Sequence, residues 1–331
     1  MLTQTTIPVV LLIDQIDALS LSLSKDRELI NEYFRIINKF SRNDNAGRVK
    51  IIVSCRTFDL SYDATLSQLK HNKNVELQEL SIEEVKGILT QIMDKKEIRY
   101  VSDETIQLLR TPQYLDTYCR IYDKEQSVMN FANPQNLYEE LWRIQVIHST
   151  VSERNELECL IYKIAERIQK EETLATKWII SAEEMPFIEY LSTQGIVTYE
   201  NHTIRFFHQS FYDYVLARKF VSDQKSLSEW ILSKHQGLFI RGTIRQVFSY
   251  LRNYDEPLYD IELKACLFLP EMRYHIKLLI LQDMAVLENP TIHEKNIISH
   301  AMRNDKELFE TFLKQSISAN WIDFLLPKMQ R

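Results

Sequence analysis

Hydrophobic residues near the amino terminus form two short runs with an amphipathic stretch between them. The first run is Val9–Ile13, and the second is Val49–Val53, which only Lys50 interrupts. Apolar runs of this length are typical of strands buried on both faces of a parallel sheet. Residues 26–40, between the runs, place their apolar side chains on one helical face. The pattern predicts a β-α-β unit, whose right-handed crossover sets the two strand ends side by side.

Beyond residue 80 the apolar spacing is mostly helical. Helices are predicted over 83–93, 102–110, 113–122, 137–149, 155–170, 182–193 and 208–221. Two β-rich runs, 195–199 and 203–207, are joined by three polar residues and predict a hairpin. From about residue 226 to the end, helix follows helix with breaks near prolines, and no strict repeat period is visible.

These elements predict an α/β segment followed by a mostly α-helical chain. The predicted α/β segment is 1–80, with parallel strands. A small helical domain is expected over 81–133, and a winged helix, with the hairpin as its wing, over 134–224. The helical region 225–331 fits helix pairs that begin a solenoid.

Composition narrows the class of protein. The 331 residues include only 5 glycines and 8 prolines, which disfavours an all-β architecture. No apolar stretch reaches the roughly 18 residues of a membrane span, and the four cysteines show no C-x-x-C spacing. We therefore expect a cytoplasmic protein without a membrane partner. The net charge of −6 makes a nucleic-acid partner unlikely as well.

Ionisable side chains follow both predicted strands, at the edge where α/β sheets bind ligands. Asp14 and Asp17 come after the first run, and Arg56 comes after the second. An aspartate at this edge can hold Mg²⁺, a second acid can orient an attacking water, and an arginine can bind phosphate oxygens. The alternative is an ordinary buried strand with polar residues where it reaches the surface.

Five motifs, in order, resemble those of STAND-class P-loop NTPases, the class that includes the NACHT ATPases. The sequence LLIDQID at 11–17 resembles the Walker B strand, and KIIVSCR at 50–56 resembles the sensor 1 strand. Residues 75–85 resemble the next strand and the start of the small helical domain, where Ser81 and Glu84 form a capping box. TPQYL at 111–115 resembles the loop whose proline lies near adenine. FFHQSFYDY at 206–214 is similar to the winged-helix signature.

The resemblance covers about the first 220 residues and implies roles in an intact ATPase. Asp14 would bind Mg²⁺, Asp17 would position the attacking water, and Arg56 would sense the γ-phosphate. Pro112 would contact the base. His208 would reach the β-phosphate of ADP, although a histidine at a helix start is more often a cap or a structural residue. Bound ADP would hold the protein closed, and exchange for ATP would expose an oligomerising surface.

The family's phosphate-binding loop is missing from this sequence. That loop reads G-x-x-x-x-G-K-[ST], because glycines let backbone N–H groups approach the phosphates and the lysine adds charge. None of the five glycines here is followed by Lys-Ser or Lys-Thr. We therefore expect a chain truncated before the Walker B strand. Its cofactors would be ATP or ADP with Mg²⁺ in the intact protein, whereas this chain alone could bind none.

The expected function is that of a fragment of a nucleotide-controlled signalling or defence switch. Its partners would be a nucleotide, a protein bound by the helical carboxyl-terminal region, and further copies on activation. One alternative is a non-catalytic helical binding module. Another is an AAA+ initiator-like protein with a DNA-binding winged helix, but Glu183, Glu184, Glu189 and Asp213 on its candidate recognition helices would repel phosphate.

We predict that the purified chain shows no ATPase activity above background, because it lacks the glycine-rich loop and its lysine. It should bind nucleotide weakly at best, since Arg56 and His208 supply only part of the missing charge complementarity. Phosphate release in the presence of ATP and Mg²⁺ measures this. Turnover that the Asp17→Asn substitution abolishes would contradict the prediction.

Overall fold

The computed structural model divides the chain into two compact units. Unit 1 comprises Met1–Glu79 and Ile168–Thr176, and unit 2 comprises Leu80–Arg167 and Lys177–Arg331. The residues that the structure describes are 9–14, 16, 27–40, 49–55, 60, 66–68, 73–149, 154–234, 236–287, 289–303, 305–315 and 319–329. They form a small parallel sheet near the amino terminus, followed by a mostly helical chain. This agrees with the predicted order of an α/β part and then helices.

Unit 1 contains the predicted β-α-β unit. Strands β1 (Val9–Ile13) and β2 (Val49–Val53) are parallel and pair in register, residue by residue from their first positions to their last. Helix α1 (Arg27–Phe40) lies between them in sequence. It packs on one face of the sheet, where Ile37 joins Ile13 in a small core. Local spacing was therefore sufficient to predict these three elements.

The predicted burial of both strand faces is wrong. Val10, Leu12 and Ile52 are 53%, 70% and 57% exposed. Side chains alternate between the two faces of a strand, so the residues between those that contact α1 face the opposite way. The continuous apolar runs therefore predicted the strands correctly. They did not predict correctly that both faces of the strands would be buried.

Residues 73–80 differ from the resemblance as well, because they form neither a strand nor a helix. Val75 and Leu77 are 69% and 93% exposed in this segment. Alternating apolar residues form a strand only where a neighbouring strand pairs with their backbone. The following helix start is as predicted: Glu84 N–H donates to the Ser81 hydroxyl at 3.2 Å, and Ser81 N–H donates to the Glu84 carboxylate at 2.7 Å.

Unit 2 begins with helices close to the predicted ones, the longest of which, residues 154–171, ends among the residues assigned to unit 1. They are α2 (Ile82–Leu89), α3 (Asp103–Leu108), α4 (Pro112–Glu125), α5 (Pro134–Trp142), α6 (Arg154–Glu171) and, after the two-residue strand β3 (Thr176–Lys177), α7 (Met185–Thr193). A π-helical turn, Arg143–Ile147, extends α5. No described helix is long and apolar enough to cross a bilayer. The domain boundaries predicted at 133/134 and 224/225 lie within unit 2, and the one predicted at 80/81 lies at its start.

A β-hairpin follows α7, as predicted. Strands β4 (Val197–Glu200) and β5 (Thr203–Phe206) pair antiparallel. Asn201 and His202 connect them with φ angles of 51° and 58°. Consecutive left-handed residues give the type of two-residue turn that matches strand twist. Gly195 ends α7 with a φ of +67°, the conformation that a helix-terminating glycine adopts most readily.

Helix α8 (Gln209–Ser222) follows the hairpin and packs its aromatic residues against α5. The Phe211 and Tyr214 rings are fully buried and contact Tyr138, with ring centroids 5.5 and 5.7 Å from it. Arg218 lies 5.0 Å over the Trp142 ring and donates to the Glu139 carboxylate at 2.6 Å. These aromatic residues are therefore core residues, whatever the function of the site.

The rest of unit 2 is a two-layer helical array. Its helices are α9 (Leu227–Ser233), α10 (Arg241–Tyr254), α11 (Glu256–Phe268), α12 (Tyr274–Ala285), α13 (Ile292–Met302), α14 (Lys306–Gln315) and α15 (Ala319–Met329). One layer runs α8, α10, α12, α14, and the other runs α9, α11, α13, each helix packing on the next. The array shares one core, in which α12 is buried around most of its circumference.

The array has a regular spacing that residue identities do not reveal. Helices of the first layer begin at Gln209, Arg241, Tyr274 and Lys306, so successive starts lie about 32 residues apart. Helices within a layer also run parallel. In the second layer, for example, His293 contacts Asp260 at 3.6 Å near the helix starts, and His300 contacts Phe268 near the ends. Such stacking of helix pairs is typical of an α-solenoid.

A buried aspartate joins α8 to α10. The Asp213 carboxylate is 4% exposed and accepts a hydrogen bond from the Thr243 hydroxyl at 3.1 Å. The carboxylate also lies against Gly242, where a Cβ atom would clash with Asp213 Oδ2. Glycine at 242 therefore lets a negative group reach the first turn of α10, which favours negative charge.

We predict opposite effects of alanine at two glycines. Gly242→Ala should destabilise the protein by about 1–3 kcal/mol, because the methyl group displaces a buried, hydrogen-bonded carboxylate. Gly87→Ala, at an exposed position of α2, meets nothing within 4 Å and should stabilise by about 0.4–1 kcal/mol. Urea unfolding followed by circular dichroism measures both changes. Equal effects at the two positions would contradict this account of Gly242.

Glu294 is a fully buried acid of the array. It accepts hydrogen bonds from Arg252 at 2.6 Å, from the Tyr259 hydroxyl at 2.7 Å and from Thr291 N–H at 2.7 Å. Burial on its own would raise the pKa of this carboxyl, but the three donors together lower that pKa below its usual 4.5. The ionised form is therefore the one that the fold stabilises.

This lowered pKa gives the stability a predictable pH dependence. Glu294→Gln should cost about 1.5–3 kcal/mol at neutral pH, because it removes charged hydrogen bonds. The folded pKa lies below the unfolded one, so the contribution is present above about pH 4.3 and is lost as the pH falls through the folded pKa. Chemical unfolding of both proteins across this range measures the difference, with exposed Asp323→Asn as the control. A difference between wild type and Glu294→Gln that does not shrink on acidification would contradict the assignment.

Candidate functional site

The carboxyl ends of β1 and β2 bring two polar side chains together in unit 1. The Ser54 hydroxyl donates a hydrogen bond to Asp14 Oδ1. Backbone hydrogen bonds tie the same ends together, from Ser54 N–H to the Ile13 carbonyl at 2.9 Å and from Ile16 N–H to the Ser54 carbonyl at 3.1 Å. Asp14 is exposed at this edge. The predicted placement of Asp14 at the end of a parallel strand is confirmed, whereas Asp17 and Arg56 lie outside the described residues.

This edge offers one oriented carboxylate. The Ser54 hydroxyl occupies one oxygen of Asp14, and an exposed carboxylate can bind Mg²⁺ directly or through water. Among the described residues, no three His, Cys, Asp or Glu side chains are grouped so as to hold a metal ion. Ser54 was not singled out in the sequence, although its hydroxyl follows the second strand directly.

His208 lies in unit 2, where it caps α8. Its backbone is extended, and Ser210 N–H donates to the ring Nδ1 at 3.1 Å. The Ser210 hydroxyl lies 2.9 Å from the same nitrogen. The ring is partly exposed, unlike those of Phe206 and Phe211 in the core. Of the structural roles that the sequence left open, the helix cap is therefore the one that forms.

Helix α4 begins beside this cap. Gln113 follows Pro112 in the first turn of α4, and its side-chain amide donates to the Tyr138 hydroxyl at 2.8 Å. The same amide donates to the Ser210 hydroxyl, which also contacts the Tyr138 hydroxyl. The first turns of α4 and α8 are thus adjacent. Pro112 and His208, which the sequence places far apart, lie at the start of these two helices.

The electrostatics of this region favour an acceptor or an anion. The amino-terminal ends of α4 and α8 both carry the positive end of a helix dipole. At α4 the capping residue Thr111 makes no side-chain cap hydrogen bond. Burial raises the pKa of the Tyr138 and Tyr114 hydroxyls, so both phenols are neutral at physiological pH.

Sequence reasoning missed three of these side chains. Gln113 and Ser210 stand next to the singled-out residues in the motifs, but only the folded contact between α4 and α8 gives them a shared role. Tyr138 reads as an ordinary apolar position of α5, and its ring is fully buried. A polar residue at the second position of each of the two helices was the one signal available.

The chain matches no protein-family model and no curated protein. The two candidate sites therefore rest on their own geometry and on the motifs of the sequence.

Two substitutions at position 208 should separate capping from any role of the imidazole ring. His208→Ala removes the side-chain acceptor and should cost about 0.5–2 kcal/mol of stability. His208→Asn keeps a capping acceptor, so its cost should be much smaller. Thermal and urea unfolding measure both variants. Equal losses would show that the ring, and not the cap, stabilises the start of α8.

Proposed function

We propose that this chain is part of a nucleotide-controlled switch of the NACHT-like STAND class. One observation carries the proposal: β1 and β2 are parallel neighbours in register, with Asp14 and Ser54 hydrogen-bonded at their carboxyl ends. Walker B and sensor 1 strands require this arrangement, since one strand supplies the Mg²⁺ carboxylate and the other senses the phosphate. The resemblance of the two strand sequences to Walker B and sensor 1 supports the same assignment.

In this proposal Asp14 holds Mg²⁺, and Ser54 fixes the orientation of its carboxylate. Asp17 and Arg56 keep the roles implied by the motif, the positioning of the attacking water and the sensing of the γ-phosphate. The phosphate-binding loop motif is absent from these residues, so we do not propose hydrolysis by this chain alone. In an intact ATPase the nucleotide would supply the reactive phosphate, and Mg²⁺ would stabilise its negative charge.

In unit 2, His208 would supply the contact with the β-phosphate of ADP. The partly exposed ring of His208 and the adjacent first turns of α4 and α8 support a contact with a diphosphate. Exposed Pro112 is available to contact the base. The same helix α8 contacts the array through Asp213, so a change at its start reaches the helices that would bind a protein partner.

The test is to titrate the chain, labelled on histidine nitrogens, with ADP and Mg²⁺ and to follow the ring resonances. We expect His208 to shift, with a dissociation constant of about 1 mM or weaker because the phosphate loop is missing. AMP is the matched ligand, since it lacks the β-phosphate and should shift His208 far less. His202, exposed in the hairpin turn, is the internal control and should not respond.

Two variants complete this experiment. His208→Asn keeps the helix cap and should abolish the distinction between ADP and AMP. Asp14→Asn should weaken the dependence on Mg²⁺ and leave the distinction intact. If saturating ADP and AMP leave the His208 ring equally unaffected, the switch proposal is wrong.

A second candidate function is a helical binding module without nucleotide control. The observation that favours it is the outer surface of the array, where Ile261 and Ile292 are 61% and 62% exposed on neighbouring helices. Exposed apolar residues on adjacent helices are typical of protein-binding surfaces. The absence of any shift in the histidine ring resonances with every nucleotide in the titration would support this function.

A further inference from the structure

We propose that Gln113, Tyr138 and Ser210 form a directional hydrogen-bond chain that holds His208 as a neutral ring with its proton on Nε2. The Nε2 group of such a ring can only donate, which is the chemistry that an acceptor oxygen, such as that of a phosphate, requires. The ligand class rests on the proposed nucleotide switch, whereas the state of the ring follows from the side-chain network alone.

The direction of the chain begins at Gln113. The Gln113 Nε2 group can only donate, so the hydroxyl oxygens of Tyr138 and Ser210 both accept from it. The Tyr138 ring is fully buried, and burial raises the pKa of its hydroxyl, which keeps its proton. That proton points to the Ser210 oxygen, the other hydroxyl within reach.

The next donor in the network is the Ser210 hydroxyl, and its acceptor is His208. A serine hydroxyl accepts two hydrogen bonds and donates one. Gln113 and Tyr138 fill both acceptor positions, so the Ser210 proton is left to donate to His208 Nδ1 at 2.9 Å. The Ser210 backbone N–H donates to the same nitrogen at 3.1 Å.

Two donors at one nitrogen fix the tautomer of the ring. Nδ1 must keep its lone pair to accept from Ser210, so the ring proton resides on Nε2. A protonated ring would place an N–H group opposite both donors and break the cap of α8. The His208 contact with a ligand is therefore a neutral hydrogen bond, and Gln113 acts as a positioning residue.

The experiment uses the full chain, labelled on histidine nitrogens, in the absence of any nucleotide and at mildly alkaline pH. The ring nitrogen shifts report the tautomer directly. We expect the wild-type His208 ring to be in the Nε2–H form. Gln113→Glu is nearly isosteric but turns the donor into an acceptor, which draws the Ser210 proton away from Nδ1. The ratio of tautomers should move about five-fold toward Nδ1–H, the effect of one lost hydrogen bond.

Ser210→Ala should cause a shift of the same size, and Ser210→Thr, which keeps a hydroxyl, should restore the wild-type ratio. The His202 ring, whose Nδ1 lies 3.1 Å from the Tyr199 hydroxyl, should be unchanged in all variants. A wild-type ring in the Nδ1–H form overturns the proposal, and so does a ratio that is insensitive to both Gln113→Glu and Ser210→Ala.

The result is separate from that of the nucleotide titration. A chain that fails to bind ADP but keeps the Nε2–H form refutes only the switch. A protein that binds ADP while its His208 ring is in the Nδ1–H form refutes only the directional hydrogen-bond network.

Discussion

Burial of α8 on nearly all its sides is the constraint on which unit 2 depends. Residues 211–217, half of this 14-residue helix, are all buried, so no side of this half faces solvent. A helix of this kind must have partners in every direction. It finds them in the aromatic rings of α5 on one side and in α10 on another, where the Asp213 carboxylate accepts a hydrogen bond from the Thr243 hydroxyl. The start of α8, residues 208–210, is only partly exposed.

The fold could be predicted where one short stretch of sequence determines one element. The strands of unit 1, their connecting helix and the hairpin with its left-handed turn all follow from local spacing and turn residues. The predictions that were wrong concern features that depend on contacts with other segments of the chain. Exposed Leu12 has the same apolar character as buried Ile13, and the sequence does not say which face α1 covers. Val75 and Leu77 alternate like strand residues but lack a paired strand in the described part of the chain.

The candidate site divides in the same way. Asp14 could be placed because the end of a parallel strand has a known position in a sheet. Gln113, Tyr138 and Ser210 could not, because their hydrogen bonds join positions far apart in sequence. The regular helix starts of the array were hidden for a related reason. Their spacing is carried by helix lengths and breaks, and no recurring residue marks it.

Helix α8 is both the last element of the candidate site and the first helix of the array. The candidate site and the array share this helix, so no linker lies between them that could change conformation when the helix tilts. Gly242 brings α10 against it closely enough for a side chain to bridge them. A rotation of α8 would therefore also move α10, which packs directly against it, and the displacement of later helices would increase with their distance from α8.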